Sequence, residues 1–200
     1  MEADWSVELG ADDPSLEMPW SSPDGALRWQ DLRGDPELIP QLTECRAYPE
    51  FIESLRALNS RDSCVLTAKC DAFATEPTES ADELFGSWRM VSYVDLLLVP
   101  ADITDQTDFS PTAANFDFAL HEQFARDLCV CLNRDPESAS INAAAELVIR
   151  RCIYKSTRDD SQDGFYFTAY AIGYGESAED ARRHWAAALS AFGKLLAHMR

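Results

Sequence analysis

Three short stretches hold residue types that could do chemistry. His121-Glu122 begins the His-Glu-x-x-His pattern of zinc proteases, in which two His one helical turn apart grip the metal, but the second position is Ala125. Cys129 and Cys131 fall two apart on an expected helix and point about 200° apart at 3.6 residues per turn, so they cannot clamp one ion. Gly173-Tyr174-Gly175 precedes a helix, where a phosphate could sit, yet it lacks the G-x-G-x-x-G spacing, and Glu176 and Glu179 would repel the anion. No Cys-x-x-Cys pair and no Gly-x-Ser-x-Gly elbow occurs. The expectation is no catalytic set, no cofactor and no metal; His121, His184 and an Asp would form a metal site only if the fold gathered them.

A sharper constellation comes from strand alternation. Side chains on a strand alternate at period two, which puts Lys69, Asp71, Arg89, Tyr93, Asp95, Tyr166, Tyr170 and Tyr174 on one sheet face, away from the helices. Tyr offers apolar area with a polar tip, so such a face suits a partner or a small ligand. An RNA platform also uses sheet-face aromatics, but the surrounding charge here has the wrong sign. The structural reading is that the N-terminal arm covers this face as a second layer; both hold in part if the arm leaves a groove.

The elements that must position these residues are clearest at the C-terminal end. Phe165, Phe167, Ala169, Ala171 and Gly173 share the face opposite the Tyr residues, and beyond Phe167 that face is nearly bare, so a helix can lie close against it. Gly173 and Gly175 bracket the sharp exit, and Ser177 with Asp180 three residues on resembles a capping box. Ala178, Ala181, Trp185, Ala188, Leu189, Phe192, Leu195 and Leu196 then recur at three and four residues as one buried stripe, with acids in the first turn and Arg200 near the last carbonyls.

Upstream, Pro49 and Glu50 open a helix whose stripe is Phe51, Ile52, Leu55 and Leu58. A strand follows, with Cys64, Leu66, Ala68, Cys70 and Ala72 facing inward, then an acidic loop over 76–83, and a second strand from Trp88 to Val99 with Trp88, Met90, Val94, Leu96 and Leu98 inward. Pro100 stops it, and 101–112 reads as a loop. Leu120, Phe124, Leu128 and Cys131 mark a helix within about 112–132. Strands 146–155 and 165–174 flank a polar turn, and the adjacent Arg150 and Arg151 imply an edge, a bulge, or a charge that must find a carboxylate.

Laid end to end this is helix, strand, strand, helix, strand, strand, helix, with a possible internal duplication. The expected fold is α+β: a two-layer, four-stranded, mainly antiparallel sheet with helices on one face, formed by residues 49–200. Residues 1–48 differ. Five Pro break any long helix, yet Trp5, Trp20 and Trp29 are too apolar for a disordered tail, so the segment reads as an ordered arm anchored by its Trp. Leu16 to Trp20 and Leu27 to Trp29 read as short extended pieces around a turn, and Pro19 puts the first at an edge.

The totals narrow function by exclusion. Seventeen basic and thirty-five acidic residues give a net charge of -18, and the first fifty residues hold three basic against twelve acidic. Nucleic acid and anionic membranes are repelled by such a surface, whereas a basic protein partner is attracted. No apolar run, Leu96 to Val99 among them, is long enough for a bilayer, and the acidic start lacks the features of a signal peptide, so a cytoplasmic location is expected. The six cysteines sit mostly in apolar segments and read as reduced core residues. Three functional expectations follow: a non-catalytic binding or accessory protein for a basic protein, an immunity-type inhibitor being one version; a small-molecule-binding domain or unrecognised enzyme anchored by Arg89 or Lys69; and a homo-oligomeric structural subunit.

Overall fold

The computed structural model describes residues 1–75, 86–99, 110–155 and 160–196; the acidic loop 76–83, Pro100, most of the 101–112 loop and Arg200 lie outside them. Strands β1 (Glu2–Glu8) and β2 (Ser15–Met18) open the chain, followed by helices α1 (Thr43–Ala47) and α2 (Glu50–Leu58). Then come β3 (Val65–Thr75), β4 (Trp88–Leu98), α3 (Phe118–Arg134), β5 (Ala143–Lys155), β6 (Ser161–Gly175) and α4 (Ala178–Leu196). From α2 onward this is the expected α-β-β-α-β-β-α order.

The fold is α+β with a mostly antiparallel sheet, but the sheet has six strands rather than four. Its antiparallel centre runs β5-β6-β4-β3, two hairpins joined through β4 and β6. The added strands come from the arm. β1 pairs parallel with residues 144–150 of β5, and β2 continues along the same edge opposite 151–154. The first eighteen residues therefore extend the sheet instead of lying over it. Their mixed spacing, with Trp5 and Leu16 far apart, hides this, because a parallel edge strand needs no hairpin turn to announce it.

The arm then crosses to the opposite edge. Trp20 Nε1 donates to Ala68 O at 2.6 Å and Trp29 Nε1 to Thr67 O at 3.4 Å. Arg33 Nη2 bonds the carbonyls of Ser63 and Val65 at 2.9 and 2.6 Å, and Leu32, Ile39 and Cys45 end up buried among the helices. The arm thus covers one end of the sheet's far face, where Leu16, Met18, Trp20 and Trp29 pack with Leu66, Leu97, Tyr154 and Tyr166.

The main core lies between the sheet and the helices. Trp185, fully buried, anchors α4 against the small-residue flank of β6, with its Nε1 donating to Ser92 Oγ at 2.9 Å. Ala169 and Ala171 are buried beneath the helix as expected. A Cβ on Gly173 would stand 2.3 Å from both Ala181 O and Trp185 N, so this glycine permits close approach. At the expected cap Asp180 N donates to Ser177 Oγ at 3.1 Å, and Ser177 Oγ in turn donates to Asp180 Oδ2 at 3.0 Å, so the carboxylate holds the hydroxyl rather than the backbone N–H of a capping box.

Three details correct the expected stripes. On β3 the register shifts between Thr67 and Lys69, leaving Ala68 as an extra residue. Leu66 and Ala68 consequently face the arm while Cys70 and Ala72 face the helices, because one inserted residue reverses the alternation. On α3 the buried positions are His121, Ala125, Leu128, Cys129 and Leu132; Leu120 and Cys131 are exposed. Ala178, at the start of α4, is also exposed. Among the described residues no helix is long and apolar enough to cross a membrane.

Candidate functional site

The far face is laid out by strand register. Asp4, Glu146, Tyr170, Tyr93 and Asp71 are successive partners across β1, β5, β6, β4 and β3, and so form one transverse row. Beside it run Glu2, Ala144, Ile172, Val91 and Phe73, and on the other side Ser6, Val148, Thr168, Asp95 and Lys69. The arm covers only the far end. Glu2, Asp4 and Glu146 are exposed, Asp71, Val91, Tyr93, Tyr170 and Ile172 half-buried, and Phe73 is 42% exposed. Half of the face is therefore open, with carboxylates at both ends of a Tyr pair whose rings lie 6.3 Å apart. Arg89 and Tyr174 sit at the corner of this open half, stacked with the guanidinium 5.6 Å from the ring.

Where the open and covered halves meet there is a cavity of about 220 Å³. Pro14, Ser15 and Leu16 of the arm form one side; Lys69, Tyr93, Asp95, Tyr166 and Tyr170 of the expected set line it, together with Arg150 and Thr168. Asp71, Arg89 and Tyr174 remain on the open surface outside it. The arm thus frames a groove as well as covering part of the face.

Arg150 is the residue that strand alternation placed on this face without marking it as part of a site. It is 9% exposed. Its Nε and Nη2 both donate to Glu8 Oε2, at 2.9 and 2.6 Å, while Nη1 donates to Thr168 Oγ1 at 2.9 Å and Tyr170 OH at 3.2 Å. Burial works against its charge, but the bonds it donates to Tyr170 and Glu8 outweigh burial and hold its pKa above the ordinary value. The expected need for a carboxylate is met by Glu8, which the parallel pairing of β1 brings opposite Arg150. The signal in the sequence was Arg150 itself; its partner, 142 residues away, was not.

Thr168 hands the network on, its hydroxyl donating to Asp95 Oδ1 at 2.7 Å. Burial raises the Asp95 carboxyl to about 6, opposed by the Thr168 bond and the charges of Lys69 and Arg150. Burial, with Asp95 and Asp71 nearby, likewise lifts Tyr93 to about 12.

Two other expectations have a structural answer. His121 is fully buried, stacked near Phe165 and Phe167, with Nδ1 2.8 Å from Asp117 O, and it is a core residue rather than a surface one. His184 Nδ1 accepts from Asn142 N at 3.3 Å on another element, and among the described residues no three His, Cys, Asp or Glu side chains gather as metal ligands.

No family model, curated protein or solved structure matches the chain.

Proposed function

We propose that the protein is a non-catalytic binding protein that docks a basic protein partner on the open half of the far face, as an immunity-type inhibitor or accessory subunit would. The single observation that carries this reading is the transverse row Asp4, Glu146, Tyr170, Tyr93 and Asp71 beside the apolar row Ala144, Ile172, Val91 and Phe73. Half-exposed Tyr and aliphatic side chains supply area to desolvate, and carboxylates at both ends select Lys and Arg around it. The overall charge of -18 steers such a partner in and repels nucleic acid. A cytoplasmic setting suits the six free thiols. Self-association through α4 is less favoured, because that helix already buries Trp185, Leu189, Phe192 and Leu196 against its own sheet.

The test is a photo-crosslinker in place of Val91, activated in native lysate, with the captured protein identified by mass spectrometry. A single basic protein is expected. It should be lost in about 1 M salt, where the Debye length falls to about 3 Å, and lost in a Glu146→Lys, Asp71→Lys variant. No basic protein at position 91, or capture indifferent to charge reversal, overturns the reading.

A further inference from the structure

The cavity at the edge of the arm has a different chemistry from the open face beside it. Its buried polar groups nearly satisfy one another: Glu8 neutralises Arg150, Arg150 bonds Thr168 and Tyr170, and Thr168 bonds Asp95 Oδ1. Two charges are left over. Among the described residues Asp95 Oδ2 makes no hydrogen bond, although Asp95 is only 6% exposed. Lys69 is the cross-strand partner of Asp95, yet the two form no ion pair within 4 Å. Direct neighbours of opposite charge on a sheet normally meet. Here both line the cavity without pairing.

A carboxylate this buried is costly with one oxygen bonded only by Thr168 and the other unbonded, and burial raises it to about 6 against that bond and the charges of Lys69 and Arg150. The bulge at Ala68 is what turns Lys69 toward this side of the sheet. The cavity, about 220 Å³, is far larger than the roughly 15 Å³ a single water needs. With Arg150 cancelled by Glu8, what the site presents is one anion and one cation a short distance apart, beside the rings of Tyr93 and Tyr170. A ligand of a single charge would satisfy one group and face the other as a like charge. A small molecule carrying both charges satisfies both.

We propose that this cavity binds a small zwitterion of the free amino-acid class, its ammonium group on Asp95 and its carboxylate on Lys69. The Tyr93 and Tyr170 rings flank the ammonium, where aromatic faces stabilise a cation. Pro14 to Leu16 close one side, which limits the ligand to a compact side chain. The inference does not rest on the docking reading, although both use Tyr93 and Tyr170: its charged groups are Asp95 and Lys69 at the framed end of the face, whereas Glu146, Asp4 and Asp71 serve the open half.

Calorimetric titration of the full-length protein with the standard amino acids, one at a time, tests this. At least one compact amino acid should bind with a dissociation constant below about 1 mM, and its N-acetyl and methyl-ester derivatives should each bind at least about tenfold more weakly. Lys69→Ala, at an exposed position that leaves the fold intact, should weaken binding by at least about tenfold, and Asp95→Asn should abolish it. Both variants should keep the crosslink from position 91, which separates this result from failure of the docking reading. Binding by none of the amino acids, equal binding of a simple carboxylate or alkylammonium ion, or affinity unchanged in Lys69→Ala overturns the proposal.

Discussion

Arg150 Nη2 lies 2.6 Å from Glu8 Oε2, joining the first strand of the chain to the second-last across 142 positions of sequence. Removing the carboxylate leaves a guanidinium that is nine-tenths buried without its counter-charge. Glu8→Ala should cost about 1–3 kcal/mol, discounted from a fully buried pair because the Glu8 side chain is 39% exposed. Urea unfolding should show a lower midpoint, and Glu8→Gln, which keeps an acceptor, should recover part of the loss.

Gly173 and Gly193 give a paired test of helix approach. Gly173→Ala puts a Cβ 2.3 Å from the backbone of α4, so the helix must lift, at roughly 1–3 kcal/mol or more. Gly193→Ala meets only Ala57 Cβ at 3.4 Å and gains helix propensity, so it should be neutral or stabilising by up to about 1 kcal/mol. Denaturant midpoints of the two variants should move in opposite directions or differ by that sum.

Asp95 makes stability depend on pH in an unusual direction. Its carboxyl titrates near 6 in the fold against 3.8 ordinarily, so the folded state holds more protons in that window. The contribution is fully present below about 3.8 and is lost as pH rises through about 6. In Asp95→Asn the loss disappears, and the stability difference between variant and wild type should grow by on the order of 2–3 kcal/mol between about pH 4 and pH 7.

His121 acts in the opposite sense. Burial lowers its pKa from the ordinary 6.5, and the folded state therefore holds fewer protons than the unfolded chain. Its contribution is complete above 6.5 and is lost as pH falls through the folded value. His121→Phe should flatten the acid limb of the unfolding midpoint plotted against pH, provided the larger ring is accommodated; His121→Gln, closer in size, is the second variant for the same comparison.

The Trp20 indole holds the arm to the bulge. Trp20→Phe keeps most of the apolar surface but withdraws the donor from Ala68 O, which should cost about 1–2 kcal/mol. Hydrogen exchange should quicken for amides around residues 16–29 before it quickens in α4.

Residues 165–196 were legible from their own spacing, whereas 161–164, expected as part of the polar turn, extend β6, because a hairpin can run on through polar residues paired with 152–155. Period two in Phe165 to Tyr174 and period 3.6 from Ala181 to Leu196 both report a single buried face, and a local pattern needs no distant information to be read. The same logic put Lys69, Tyr93, Asp95, Tyr166 and Tyr170 on one side of the sheet. It could not see that Asp71, Arg89 and Tyr174 stay outside the cavity, because that depends on where the arm stops.

What only the tertiary structure decided are the pairings between remote segments and the places where alternation breaks. A parallel edge strand such as Glu2–Glu8 carries no turn to mark its partner, so although Leu16 to Trp20 read as an extended edge piece, neither β1, the pairing of β2 with β5, nor the Glu8 partner of Arg150 followed from the chain order. The bulge at Ala68 reverses every later residue of β3 by inserting one, and the carbonyls at it, Thr67 O and Ala68 O, are bonded by Trp29 and Trp20 from another part of the molecule. Local periodicity fixes which face a side chain takes; which other segment meets that face is settled only when the whole core is packed.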